Sequence, residues 1–238
     1  MKITFVSNYI NHHQIPFSNA MYHQTGVEYT FIQTEPMEEE RVRMGWKQQD
    51  DLPYLKLYYR EPEICRALIA ESDVVIFGGC EEEDYIAERL KAGRPVIRYS
   101  ERLYKEGQWK AISPRGLYKK YHDHVKYRKA QVYLLCSGAY VASDFNLVRA
   151  YPHKKLKWGY FPAFVRQDVD RLLENKVGVK GKTEILWAAR FIDWKHPEMV
   201  VKLARRLKEE KYDFHITMIG GGVMKEEIEH MVAELEGE

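Results

Sequence analysis

Short apolar runs that stop at glycine, alternating with amphipathic stretches, constrain this chain more than any other feature. The clearest is Asp73-Val-Val-Ile-Phe-Gly78-Gly79, an unbroken apolar run of strand length. A strand without polar alternation is covered on both faces, as in a parallel sheet between two helix layers. Shorter or less purely apolar strand segments occur at 3–6, 28–33, 54–59, 96–99, 132–136 and 156–160. Between them, helical periodicity falls at 15–21, 61–70, 81–92, 114–129 and 138–149, with Pro16 tolerated in a first turn. Residues 34–51 are polar and charge-rich, a loop with room for a short helix.

Repeated βα units of this kind define an α/β fold. Residues 1–164 are expected to form a complete N-terminal Rossmann-like domain with a parallel sheet. Residues 165–182 change character, charged and ending in Val177-Gly-Val-Lys-Gly181, and read as an interdomain linker. The pattern then resumes as β (184–189), α (197–210), β (214–219) and α (223–235). A typical domain has about 100–150 residues, so 183–238 reads as the first βαβα part of a second Rossmann-like domain. Two such strands leave a sheet edge that is exposed, closed by a partner or disordered.

Composition excludes several classes. A 45% hydrophobic and 30% charged chain is globular, not disordered. A net charge of +2 gives no argument for a nucleic-acid partner. Local basic patches at Lys119-Lys120 and His153-Lys154-Lys155-Leu156-Lys157 are solvated surface or, if the charges converge, an attraction to an anionic membrane or phosphorylated substrate. Cys65, Cys80 and Cys136 have no metal-ligand spacing and make a poor disulfide framework, so reduced thiols in a cytoplasmic protein are expected. No window approaches the apolar length of a membrane span, which leaves only peripheral contact at the inner face of the membrane.

Candidate chemistry gathers at strand ends, where α/β folds bind phosphorylated ligands. Arg190 ends the strand containing Trp187, and Lys195 lies just before Pro197 opens a helix. A guanidinium engages two phosphate oxygens and an ammonium supplies a mobile charge, a pairing suited to a diphosphate. The bland alternative pairs Arg190 with Asp193 and leaves Lys195 in solvent. Gly220-Gly221-Gly222 permits close backbone approach or a tight turn, and matches neither a Walker A loop nor G-x-G-x-x-G. In the first domain, Gly78 and Gly79 can line a cleft between domains. Asn8, Asn11, His12 and His13 offer directional hydrogen bonds to sugar hydroxyls, phosphates or backbone. Adjacent His12 and His13 are a weak metal signal, and no metal is expected. Glu101 can hold a substrate hydroxyl, accept a proton or simply pair with Arg102.

These residues carry a resemblance. Ala189-Arg190, Lys195 and Gly220-Gly221-Gly222 resemble the opening of the donor domain of retaining glycosyltransferases with two facing Rossmann-like domains, the GT-B fold. The likeness is to the family 4/group 1 type that builds capsules and exopolysaccharides. The resemblance implies transfer of a sugar from a nucleotide-diphosphate sugar to a glycan or lipid-linked acceptor, without a cofactor or metal. It implies that Arg190 and Lys195 grip the diphosphate, that the glycine run lies near the nucleotide, and that Asn8, Asn11, His12, His13, Gly78 and Gly79 lie on the acceptor side. Retention would follow from same-face attack assisted by the donor phosphate.

Three departures accompany it. His196 stands where the family has glycine after its lysine. Tyr99-Ser100-Glu101-Arg102 lacks the family's histidine, a role left vacant or moved to Glu101 or His13. The acidic pair that binds donor sugar and ribose, and the crossing-back helix, would lie beyond Glu238, so the chain is expected to be truncated and inactive as it stands. The competing readings are a noncatalytic carbohydrate-binding or scaffold protein and, opposed by the glycine-free loop after Val6, a nucleotide-dependent oxidoreductase.

Overall fold

A computed structural model describes residues 1–80, 82–105, 107–174 and 181–237. They form two compact units, Met1–Val165 and Arg166–Glu238.

In the first unit, seven strands are β1 (Lys2–Ser7), β2 (Glu28–Gln33), β3 (Leu55–Leu57), β4 (Val74–Phe77), β5 (Val96–Ser100), β6 (Val132–Ser137) and β7 (Lys155–Trp158). They pair in parallel in the order β3-β2-β1-β4-β5-β6-β7. The helices are α1 (Ile15–Tyr22), α2 (Glu39–Arg43), α3 (Pro62–Glu71), α4 (Ala87–Lys91), α5 (Pro114–Asp123) and α6 (Val141–Leu147). Alternate residues of one strand enter opposite cores: Val75 and Phe77 pack with Cys65, Ile86 and Phe145, while Ile76 packs with Phe5, Phe31 and Leu135. Burial on both faces is the reason the Val74–Phe77 run contains no polar residue. The chain lays down β1, β2 and β3 in one direction and β4 to β7 in the other, so the order reverses between β1 and β4. A crevice opens at their C-terminal ends.

Buried Arg89 closes the bottom of this sheet. Its guanidinium donates to the carbonyls of Ile69 (2.9 Å), Ser72 (2.7 Å) and Asp73 (2.9 Å), and its Nε to Pro95 (3.0 Å). These include acceptors that the end of α3 leaves without helical partners.

Two expected helices differ from the structure. The 81–92 segment is a 3-10 turn (Glu83–Ile86) followed by α4, and Glu81 lies outside the described residues. The 114–129 segment stops at Asp123, because His124 leaves helical geometry (φ −135°, ψ −48°) and turns its ring against Phe145 and Tyr151. The segment expected as a linker contains a short exposed helix, α7 (Val169–Glu174), and its residues 175–180 lie outside the described part.

The second unit pairs β8 (Thr183–Ala188) in parallel with β9 (Phe214–Ile219). Helices α8 (Glu198–Glu209) and α9 (Lys225–Gly237) follow the two strands. Trp187 and Met218 pack with Phe191, Val201, Ile228 and Leu235, whereas the alternate residues Leu186 and Ile219 are exposed. This two-stranded, one-faced unit is a partial Rossmann-like domain, whereas the first unit is a complete one.

Candidate functional site

The first unit carries a cleft of about 580 Å³ at the C-terminal ends of β1, β4 and β5, the point where the strand order reverses. Asn11, His13, Gly78, Gly79 and Glu101 all line it. Asn8 and His12 do not stand among the lining residues. Asn8 instead ties β1 to the chain after β2, its carbonyl accepting from Thr34 and Glu35 at 3.0 Å each. His12 is exposed and packs its ring 4.0 Å from His13 and 4.6 Å from Trp46.

The loop after β1 is held by its own side chains. Asn11 accepts from the His13 amide through Oδ1 (2.9 Å), and its carbonyl accepts from Gln14 and Ile15 at the start of α1. His13 therefore has a fixed backbone, with its ring 4.8 Å from that of Tyr160. Its Nδ1 is buried and meets no protein partner. Burial, and then the neighbouring His12, lower its pKa, so the imidazole is neutral near neutrality. A neutral ring with an unused nitrogen in a cleft can exchange a hydrogen bond with a ligand hydroxyl.

Glu101 does not pair with Arg102. Its carboxylate accepts from the Tyr160 hydroxyl and from Lys105, while Arg102 binds the fully buried carboxylate of Asp144 at 3.1 and 3.2 Å. Asp144 wins because a buried carboxylate must be matched, whereas Glu101 at the cleft rim also has water. His13, Tyr160 and Glu101 thus follow one another along one side of the cleft.

Gly78 and Gly79 serve a ring more than a ligand. A Cβ on Gly78 would stand 2.5 Å from the Tyr99 ring, and one on Gly79, at φ 80°, would stand 2.6 Å from the Tyr99 hydroxyl. The two glycines let Tyr99 cross the end of β4 and hydrogen-bond Ser7 at 3.1 Å.

The cleft's charged floor is assembled from distant segments. Arg98 on β5 is buried, pairs with Glu83 and donates to the carbonyl of Asp123. Its Nη1 also lies 3.4 Å from both the Tyr151 hydroxyl and His124 Nδ1, while its Nε is buried without a partner. Glu83 further accepts from Tyr127 (2.8 Å) and faces Lys126 (3.4 Å). Burial would raise the Glu83 pKa, but Arg98 and the Tyr127 hydrogen bond outweigh it and hold the carboxyl below its usual range. Nearby Cys80 has its thiol pushed up to about 12, chiefly by burial. It is an inert thiol at neutral pH.

The second unit has its own strand-end arrangement. A Cβ on Gly220 (φ 154°) would stand 1.9 Å from the Ala189 carbonyl oxygen, and one on Gly222 (φ 147°) 2.4 Å from that of Phe191. The amide of Phe191 donates to Gly221 (2.8 Å), and that of Met224 to Phe191 (3.0 Å). The glycine run is therefore packed against the backbone on both sides of Arg190, and only Gly221 has open space where a side chain would go. Arg190 places its guanidinium 5.9 Å from the Trp194 ring. Lys195 is exposed at the end of a 3-10 turn (Asp193–Lys195). His196 follows in the left-handed conformation (φ 51°, ψ 51°), where glycine is the residue with no steric cost.

No protein-family description matches the chain, and no curated protein sequence matches it. Solved structures match in fold. Anabaena Alr3699/HepE in complex with UDP and glucose aligns with a TM-score of 0.58 at 10% identity, over 100% of this chain and 67% of that one. The same protein in complex with UDP-glucose gives a TM-score of 0.57 at 10% identity, over 99% of this chain and 66% of that one. The fold is GT-B-like. At such identity the likeness speaks for the architecture alone, and the chain spans about two thirds of the length of the GT-B-like structures it matches.

Proposed function

We propose that this chain is the acceptor domain and the first wall of the donor site of a glycosyltransferase. The enzyme would move a sugar from a nucleotide-diphosphate sugar to a glycan or lipid-linked acceptor at the cytoplasmic face of the membrane, in surface-polysaccharide synthesis. The observation that carries the reading is the strand-end arrangement of the second unit. There Gly220 and Gly222 hold the backbone around Arg190, in a fold that Alr3699/HepE also has and with which it binds UDP and glucose.

In this reading Arg190 and Lys195 bind the diphosphate and neutralise the charge that grows on it as the glycosidic bond breaks. The Gly221 backbone lies near the nucleotide. The acceptor occupies the first-unit cleft among Asn11, His13, Gly78, Gly79 and Glu101, with Asn8 and His12 supporting the loop. Neutral His13 and the Glu101 carboxylate orient the attacking hydroxyl. In the retaining course, its proton passes to the departing phosphate as attack occurs on the same face. Neither a cofactor nor a metal is called for.

Calorimetric titration of the chain with UDP tests the donor half. Binding that falls at least tenfold in Arg190→Ala and in Lys195→Ala supports it, since a charge-assisted phosphate contact contributes about 1.5–3 kcal/mol. Unchanged affinity in both variants would sink the assignment. A glycan bound by a chain with no nucleotide affinity would favour the noncatalytic carbohydrate-binding reading instead.

A further inference from the structure

The helix that walls one side of the cleft is amphipathic in the wrong sense for a soluble surface. Along α5 the half-covered positions are Gly116, Lys120 and Asp123, at the i, i+4, i+7 spacing of one face. The apolar residues Leu117, Tyr118 and Tyr121 form the opposite stripe and are 44%, 73% and 59% exposed. No residue of α5 is buried. The 3-10 turn before it (Gln108–Ile112) adds Trp109 and Ile112, 66% and 80% exposed. The segment is nonetheless anchored at both ends, through Ala111 and Val125 against the main core. Exposure of this stripe is thus built into a fixed element and does not reflect fraying.

Charge completes the pattern. Residues 107–130 contain seven Lys or Arg and a single acid, Asp123, in a chain whose whole net charge is only +2. Arg115 and Lys119 are exposed on α5 beside the apolar stripe, and Asp123 lies on the inward face. Tryptophan and tyrosine interleaved with lysine and arginine suit the boundary between acyl chains and headgroups. The rings settle at headgroup depth, and the cations meet lipid phosphates.

We propose that residues 109–121 form a docking surface for an anionic lipid bilayer, entered by Trp109, Ile112, Leu117, Tyr118 and Tyr121. The contact is peripheral: among the described residues no helix is long and apolar enough to cross a membrane. Lys119 of this surface, and Asp123 and His124 just after it, also line the cleft, so a docked bilayer lies at the cleft's rim. Docking stands apart from the glycosyltransferase reading. Only its consequence, that the acceptor hydroxyl arrives on a lipid-linked saccharide, rests on that reading.

The test is co-sedimentation of the 238-residue chain with phosphatidylcholine vesicles, with and without phosphatidylglycerol. The expected result is binding that needs phosphatidylglycerol, weakens with salt, and falls at least tenfold in the double variant Ile112→Ser, Tyr118→Ser. Both side chains are exposed and neither lines the cleft, so far-UV circular dichroism and UDP affinity should match the parent chain. Failure of UDP binding in the parent chain would count against the enzyme reading and leave vesicle binding to be judged by itself. No partition to phosphatidylglycerol vesicles, or equal partition by the double variant, overturns the proposal. So does a surface that takes a single-stranded DNA oligonucleotide in preference to the vesicles.

Discussion

His124 Nδ1 lies 2.9 Å from the Tyr151 hydroxyl, and Arg98 Nη1 approaches the same nitrogen at 3.4 Å. A guanidinium can only donate, so Nδ1 must accept and the ring must be neutral. Burial, and then Arg98, push the pKa of His124 down to about 3. The unfolded chain therefore binds a proton near pH 6.5 that the folded protein refuses until about pH 3. Stability is full above the unfolded value and falls as pH drops through that window, by at most about 1.4 kcal/mol per pH unit from this group. Urea denaturation at pH 7, 5 and 4 checks it. The fall should begin above the carboxylate range and be shallower in His124→Gln.

A second expectation concerns the three consecutive glycines. Gly220→Ala and Gly222→Ala should each loosen the second unit by about 2 kcal/mol or more, because a Cβ meets backbone carbonyls and the backbone angles exclude other residues. Gly221→Ala should stay within about 0.5 kcal/mol, since nothing lies within 4 Å of its Cβ position. Hydrogen exchange at Val201 and Ile228 reads the second unit separately from the first. Equal effects at all three glycines would contradict the packing argument.

His196→Gly should act in the opposite direction. A non-glycine residue at φ 51° carries about 1–2 kcal/mol of strain, against about 0.4–1 kcal/mol of extra unfolded-state entropy for glycine. The same exchange measurement should record a net gain of roughly 0.5 kcal/mol, and a loss would mean that the His196 contact with Glu198 (3.3 Å) matters more than the strain.

Arg89→Met should destabilise the first unit by about 3 kcal/mol or more, although the stem volume is kept. The change strands the carbonyls of Ile69, Ser72, Asp73 and Pro95, which no water reaches easily at a residue 2% exposed. Thermal unfolding followed by circular dichroism measures it, and a shift within error of the parent would mean that those carbonyls have other partners.

Much of the fold was legible in the residues. β2 and β9 fall at the expected bounds, and the inner strand β4 was visible as an unbroken apolar run, because burial on both faces leaves a local mark. Helix ends were less legible. His124 terminates α5 through a ring that packs on Phe145 and Tyr151, a preference invisible within its own segment. In the cleft, His13, Asn11 and Glu101 could be nominated as strand-end residues. Arg98, Glu83, His124 and Tyr160 could not be given their places in it, since each acts through partners 15 to 59 positions away.

The sequence by itself determined the order of the main elements and the parallel sheet, because strand burial is a local demand on side-chain type. Only the tertiary structure decided that Glu101 meets Tyr160 in place of Arg102, that Tyr99 is the reason for Gly78 and Gly79, and that α5 turns its apolar stripe outward. Those outcomes depend on which buried charge or ring finds a partner first across distant strands, and sequence spacing carries no record of that competition.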